Sequence, residues 1–136
     1  MRLQSIFRAV DCQFSGWKLG YNSFMEKLSR QVCVACQGGI PPLNEQEIAV
    51  FMKKLEEETS GWEVVESHHL KKRWKFPDFK AALEFVNKIG ALAEKQGHHP
   101  NICFSWGFVE ITIWTHKIDG LHQSDFVLAA KIDQIK

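Results

Sequence analysis

The sequence predicts an α+β fold: a four-stranded antiparallel sheet with three helices packed on one face. Three observations predict it. Three helical stretches alternate with two pairs of short strand-like runs. The strands of each pair are separated by only a few residues, which suits a hairpin and is too short for a parallel crossover. The runs also alternate apolar with polar residues, so the sheet has one buried and one wet face, and the helices share the buried one. A length of 136 residues and a hydrophobic content of 45% suit one domain with one core.

Asn44 opens the first helix. Glu47 stands three residues on, completing a capping box, and Leu43 and Ile48 are spaced for a hydrophobic staple. Ile48, Phe51, Met52 and Leu55 repeat at helical spacing, Glu56-Glu57-Glu58 reads as a solvated face, and Ser60-Gly61 ends the helix. Residues 62–66 and 70–76 form the first strand pair, with Ser67-His68-His69 as a polar hairpin turn. Lys71, Arg73 and Lys75 alternate with Leu70, Trp74 and Phe76. Pro77-Asp78 then starts the second helix, whose expected inner stripe is Phe79, Leu83, Val86, Ile89, Gly90 and Ala93. Gly97 is its expected left-handed C-terminal residue. Ile102, Phe104 and Trp106 mark a third strand, and Val109, Ile111 and Ile113 a fourth, with Gly107 at the turn between them. A last helix spans about 122–135, with Phe126, Ala129, Ala130 and Ile132 inward.

Residues 1–24 differ in composition, holding Arg2, Arg8 and Lys18 against one acid, Asp11. This is compatible with organellar targeting, with a flexible extension, or with a start at Met25. Gly38-Gly39-Ile40-Pro41-Pro42 reads as a linker. The domain division expected is a flexible or targeting extension over 1–32 and a folded domain over 33–136. A net charge of +1 gives no global field for nucleic acid or an anionic membrane, and no apolar run is long enough to span a bilayer. Cytoplasmic residence is the expectation. Cys33 and Cys36 have CxxC spacing, but no second pair completes a zinc site, and Gly and Pro follow where a redox motif would open a helix.

The densest chemistry lies in Glu94, His98, His99, Pro100, Trp106, His116 and Asp125. Histidine titrates nearest neutrality, so the cluster points to proton transfer or metal binding. A zinc site on His98, His99 and His116 is disfavoured because adjacent histidines rarely converge. Cys103 could be a nucleophile, but nothing ties it to a histidine. General acid–base catalysis needs only near-neutral imidazoles beside a carboxylate and is the most economical reading; polar residues closing a loop are the competing one. No metal and no cofactor is expected.

The spacing of these seven residues resembles the pterin-4a-carbinolamine dehydratase family, with Gly38-Gly39-Ile40-Pro41-Pro42-Leu43 similar to the lead-in of bacterial-type members. The resemblance runs from about Cys33 to the C-terminus. It implies a hydro-lyase that converts 4a-hydroxytetrahydropterin to quinonoid dihydropterin plus water, in tetrahydrobiopterin recycling beside an aromatic amino acid hydroxylase. It implies catalysis by His98, His99 and His116, with His98 and His116 as proton donor and acceptor. Substrate contact is implied for Gly97, His98, His99, Trp114, Thr115, His116 and Lys117. Asp125 is implied to orient His116, with Glu94, Pro100 and Trp106 in support. The family also forms homodimers and homotetramers, and the alternative function is a non-catalytic, coactivator-like binding module. The chain departs from many animal members at Gly97, Trp114 and Lys117, and His122 stands where Ser or Thr usually caps the last helix, so that capping box is expected to be lost.

Overall fold

The computed structural model describes residues 26–34 and 38–135. The expectations for residues 1–24 and for Cys36 lie outside the described residues. Three α-helices occur among the described residues: α1 (Glu45–Glu56), α2 (Phe79–Gln96) and α3 (Gln123–Ile132). The strands are β1 (Glu63–Val65), β2 (His69–Lys75), β3 (Asn101–Ser105) and β4 (Phe108–Ile113). They form one antiparallel sheet in the order β1-β2-β4-β3. The predicted α+β architecture is therefore present, with strand ends within about one residue of expectation.

Parity and register explain the core. Leu70 pairs with Ile113, Trp74 with Val109 and Ile102 with Ile111, so the apolar residues of three strands stack on one face. Leu70, Val109, Ile111 and Ile113 are fully buried there beneath the helices. Phe126 of α3 stacks on Phe51 of α1 with ring centroids 5.3 Å apart. Lys72 breaks the alternation. It falls on the inward parity, and its amine escapes burial as a bare charge by meeting Asp133 at 2.5 Å while lying over the Trp74 ring.

Two helix faces differ from expectation. In α2 the buried residues are Ala82, Ile89 and Ala93, with Phe85 and Val86 half-buried, while Phe79 and Leu83 are exposed. Phe85 inserts between Trp74 and Phe76, at centroid distances of 5.3 and 5.1 Å, and this rotates the stripe. Phe85 thus packs against the core. In α3 every residue from Ser124 to Ala130 is buried, not one stripe alone.

The second difference has a clear cause. Residues 28–34 lie across the outer side of α3 as a strap. Leu28, in a short 3-10 turn over Leu28–Arg30, is fully buried. Glu58, expected to be solvated, accepts from the backbone N–H groups of Leu28 and Ser29 and from the Ser29 hydroxyl. The Lys131 amine donates to the Ser29 carbonyl at 3.0 Å. The expected boundary between residues 32 and 33 therefore falls inside packed structure: Leu28 and Gln31 belong to the fold, because they cover apolar surface of α3 that would otherwise face water.

Candidate functional site

The site forms where α2 ends, β3 begins, β4 ends and α3 begins. At the end of α2, Gly97 adopts φ 62°, the left-handed conformation that costs glycine least, and its N–H bonds back to Glu94 O. The chain reverses there and carries His98 across to the N-terminus of α3. After β4 the chain makes a short 3-10 turn over His116–Ile118 and returns through a bridge between Thr115 and Gly120. Gly120 is required by proximity: a Cβ there would lie 2.6 Å from Pro42 Cβ. Gly97, His98, His99, Trp114, Thr115, His116 and Lys117 line one open concavity of about 320 Å³.

Asp125 is the hub. It is fully buried, and three donors converge on it. His98 Nε2 lies 2.7 Å from Oδ1, while Oδ2 accepts from the Thr115 hydroxyl at 3.0 Å and the His122 N–H at 2.7 Å. The positive end of the α3 dipole adds to the stabilisation of the carboxylate. A buried carboxyl group held by these partners fixes the orientation of the imidazole it touches. The residue oriented by Asp125 is thus His98, correcting the expectation that it orients His116. The reason is direction: β4 parity sends Thr115 inward to Asp125 and His116 outward.

His116 is exposed and its ring lies 4.3 Å from that of Trp114, tilted by 30°. Trp114 also meets His68 and His69, with ring centroids at 6.0 and 6.2 Å. The hairpin histidines, read as a bland turn, therefore back the same wall. His68 also reaches Asp119 at 3.1 Å, tying the hairpin to the turn that carries His116. Burial, and then the neighbouring His68, hold the His69 imidazole below its ordinary pKa.

The remaining expected residues divide. Glu94 meets His99 Nε2 at 2.8 Å, on the exposed rim. Pro100 begins the turn into β3 and borders a separate depression on the open sheet face. Trp106 does not belong to the site. It is exposed in the β3–β4 turn, at the other end of the strand and roughly 15 Å from the His98 end at about 3.3 Å per residue. Thr115 is buried and engages Asp125, so its hydroxyl positions the carboxylate. The α3 capping box is retained: His122 Nδ1 accepts from Ser124 N at 3.3 Å, so an imidazole does the work of the usual hydroxyl. Cys103 is exposed on the open face, and Cys33 is buried against α3. Among the described residues, no group of three or more His, Cys, Asp or Glu could hold a metal ion, and no helix is long and apolar enough to cross a membrane.

The fold and the site define an α+β protein built around a buried Asp–His pair at the edge of a cleft with two further histidines. The pterin 4 alpha carbinolamine dehydratase family model matches residues 41–135, and the chain belongs to that family of hydro-lyases. A protein of Rubrobacter xylanophilus named for pterin-4-alpha-carbinolamine dehydratase is 52% identical over 111 residues, covering 82% of this chain and all of that one. A Rickettsia bellii protein of the same name is 53% identical, covering 80% of this chain and 94% of its own. A crystal structure from Brucella melitensis, titled as a transcriptional coactivator/pterin dehydratase, superposes with a TM-score of 0.58 at 29% identity, covering 68% of this chain and 95% of that one.

Proposed function

We propose that this protein dehydrates 4a-hydroxytetrahydropterin to quinonoid dihydropterin plus water by histidine acid–base catalysis. The observation that carries the reading is the His98–Asp125 bond of 2.7 Å at the edge of the cleft that His116 also lines. Oδ2 of Asp125 is occupied by two donors, and Oδ1 takes the Nε2 proton of His98. In the neutral ring that leaves Nδ1 as the base. It removes the ring N–H proton of the substrate, and the adjacent carboxylate compensates the imidazolium formed. His116, in its protonated form, supplies the proton to the 4a-hydroxyl. The C–O bond breaks, water departs and a C=N bond forms, so atoms and charge balance. Expelling water instead of hydroxide is the main gain, and a positioned acid contributes on the order of 10²–10⁴-fold. Lys117, Gly97 and His99 at the rim are assigned to holding the pterin.

The reading extends to service beside an aromatic amino acid hydroxylase in tetrahydrobiopterin recycling, and to a homodimer or homotetramer. It uses no metal, so chelators are expected to leave the rate unchanged. The test is an assay on chemically generated carbinolamine. Acceleration over buffer supports the reading, and none would favour a non-catalytic module, the alternative suggested by the coactivator title of the Brucella structure.

A further inference from the structure

The strap over residues 28–34 ends on the two elements that carry the Asp–His pair. Gln96 is the last residue of α2, two positions before His98, and its side-chain oxygen accepts from the Cys33 N–H at 3.3 Å. Ser124 immediately precedes Asp125. Its hydroxyl accepts from the Val34 N–H at 3.2 Å and donates to the Val34 carbonyl at 3.1 Å, a closed two-bond link. The Cys33 thiol faces the Ser124 carbonyl at 3.6 Å, and one residue earlier in α3 the Gln123 amide donates to Gln31 at 2.7 Å. Ser124 and Cys33 are buried, at 2% and 7% exposure, so water competes poorly for these bonds. The outer end of the strap is anchored independently by Glu58 and Lys131.

We propose that the strap is a positioning element of the active site: Cys33 and Val34 bridge the end of α2 to the start of α3 and so set the spacing of His98 and Asp125. This rests on the dehydratase reading for its catalytic consequence, but its structural claim can be read without turnover. Residues 28–34 lie outside the stretch matched by the family model, which begins at residue 41. They do not line the cleft, so they act through the pair. Between α2 and α3 the pair's own bond spans the gap from one side and the strap spans it from the other, while Thr115 holds Asp125 from the end of β4. Small displacements at such a pair have large effects, since a shift of about 1 Å can cost on the order of 100-fold in rate.

The test uses the full chain with Val34→Pro, which deletes the N–H that meets Ser124, and Gln96→Ala, which deletes the acceptor for Cys33, singly and together. Val34 is exposed and Gln96 half-buried, so both sites tolerate change. The double variant is expected to keep its circular dichroism spectrum and its KM within about 2-fold while kcat falls about 10-fold. The downfield proton of the His98 Nε2–H bonded to Asp125, observed by NMR in the resting protein, is expected to shift upfield and broaden. A folded double variant with unchanged kcat and an unchanged His98 resonance would overturn the proposal and leave the strap as core cover alone. Should the double variant unfold, the two single variants carry the same comparison, with about 3-fold losses expected. If the parent chain accelerates nothing, the function reading falls, and the His98 resonance still decides the strap.

Discussion

The two walls of the cleft are built on opposite physical terms. On the α3 side, His98 meets a fully buried carboxylate held by three donors. On the β4 side, His116 is exposed and lies against the ring of Trp114, which the hairpin histidines also contact. The first wall is a hydrogen-bonded network, in which each member is costly to lose because its partners are left unsatisfied in low dielectric. The second is a stack of rings near water, where any one member can be lost with little effect on folding. A dehydration that needs one fixed base and one accessible acid has a use for both. The contrast also separates stability from rate: mutations on the first wall should change both, and those on the second should change rate alone.

The largest expected effect is at Asp125. Asp125→Ala orphans His98, the Thr115 hydroxyl and the His122 N–H together. Breaking such a buried pair costs about 3–5 kcal/mol, and kcat should fall by on the order of 10³-fold or more as the His98 ring loses its orientation. Denaturant unfolding and steady-state kinetics on the same preparation check both. Loss of rate without loss of stability would mean that the network is not the buried anchor described here.

Next comes the direct contrast of His98→Ala and His116→Ala. Each should lower kcat by about 10²–10⁴-fold. Only His98→Ala should also lower the melting temperature, since it leaves the buried Asp125 without its imidazole partner, whereas His116 lies at the surface. Equal melting temperatures for the two variants would erase the distinction between the walls.

A smaller effect is expected at the rim. Glu94 and His99 meet at 2.8 Å, but their side chains are 80% and 61% exposed, so solvent screens the contact. Glu94→Gln should raise KM about 2- to 3-fold and leave kcat and the melting temperature unchanged. A kcat loss comparable to that of His98→Ala would show that the rim pair takes part in the chemistry.

How far this was legible in the sequence follows from the range of each interaction. Local signals sufficed for the elements: Asn44 with Glu47 caps α1, Gly97 ends α2, and odd positions from Val109 to Ile113 face inward. That parity, continued one step, already put Thr115 beside the core and His116 outside it. The family resemblance implies that Asp125 orients His116, whereas this parity gives the carboxylate Thr115, and the turn after α2 gives it His98. The strap was not legible from residues 26–34, which carry no periodicity. Its trace was in α3 instead, where Phe126-Val127-Leu128-Ala129-Ala130 is apolar on every side. A helix apolar all round needs a second cover, and only the N-terminal segment was left to supply it. In α2 the expected Ile89 and Ala93 are buried, but Phe79 and Leu83 are not, because Phe85 and Phe79 are equally apolar and only the sheet's Trp74 and Phe76 decide which one packs inward. The His68–His69 hairpin gives no sign of its contact with Trp114, since that contact crosses strands whose pairing no short-range pattern specifies.

The smallest expected effect is a pH dependence of stability from His69. Burial, and then His68, depress its pKa below the ordinary histidine value of 6.5, while Glu66 acts weakly the other way and Lys71 adds to the depression. The folded protein therefore favours the neutral ring more than the unfolded chain does. Above the unfolded pKa both states hold the ring neutral, and this contribution to stability is fully present. As pH falls below about 6.5 the unfolded chain takes up a proton first, and stability declines until pH has passed below the folded pKa. His69→Gln, which cannot titrate, should flatten this part of the curve of melting temperature against pH between about 7 and 5, leaving the steeper loss from the carboxylates at lower pH. Because the ring is only half-buried and solvent screens its neighbours, the difference should be a degree or two at most. A larger difference would mean that the hairpin is anchored to Trp114 more firmly than ring contacts near 6 Å allow, and that the exposed wall is in part a second network. A slope of opposite sign would mean that the folded state stabilises the imidazolium, with Glu66 outweighing burial.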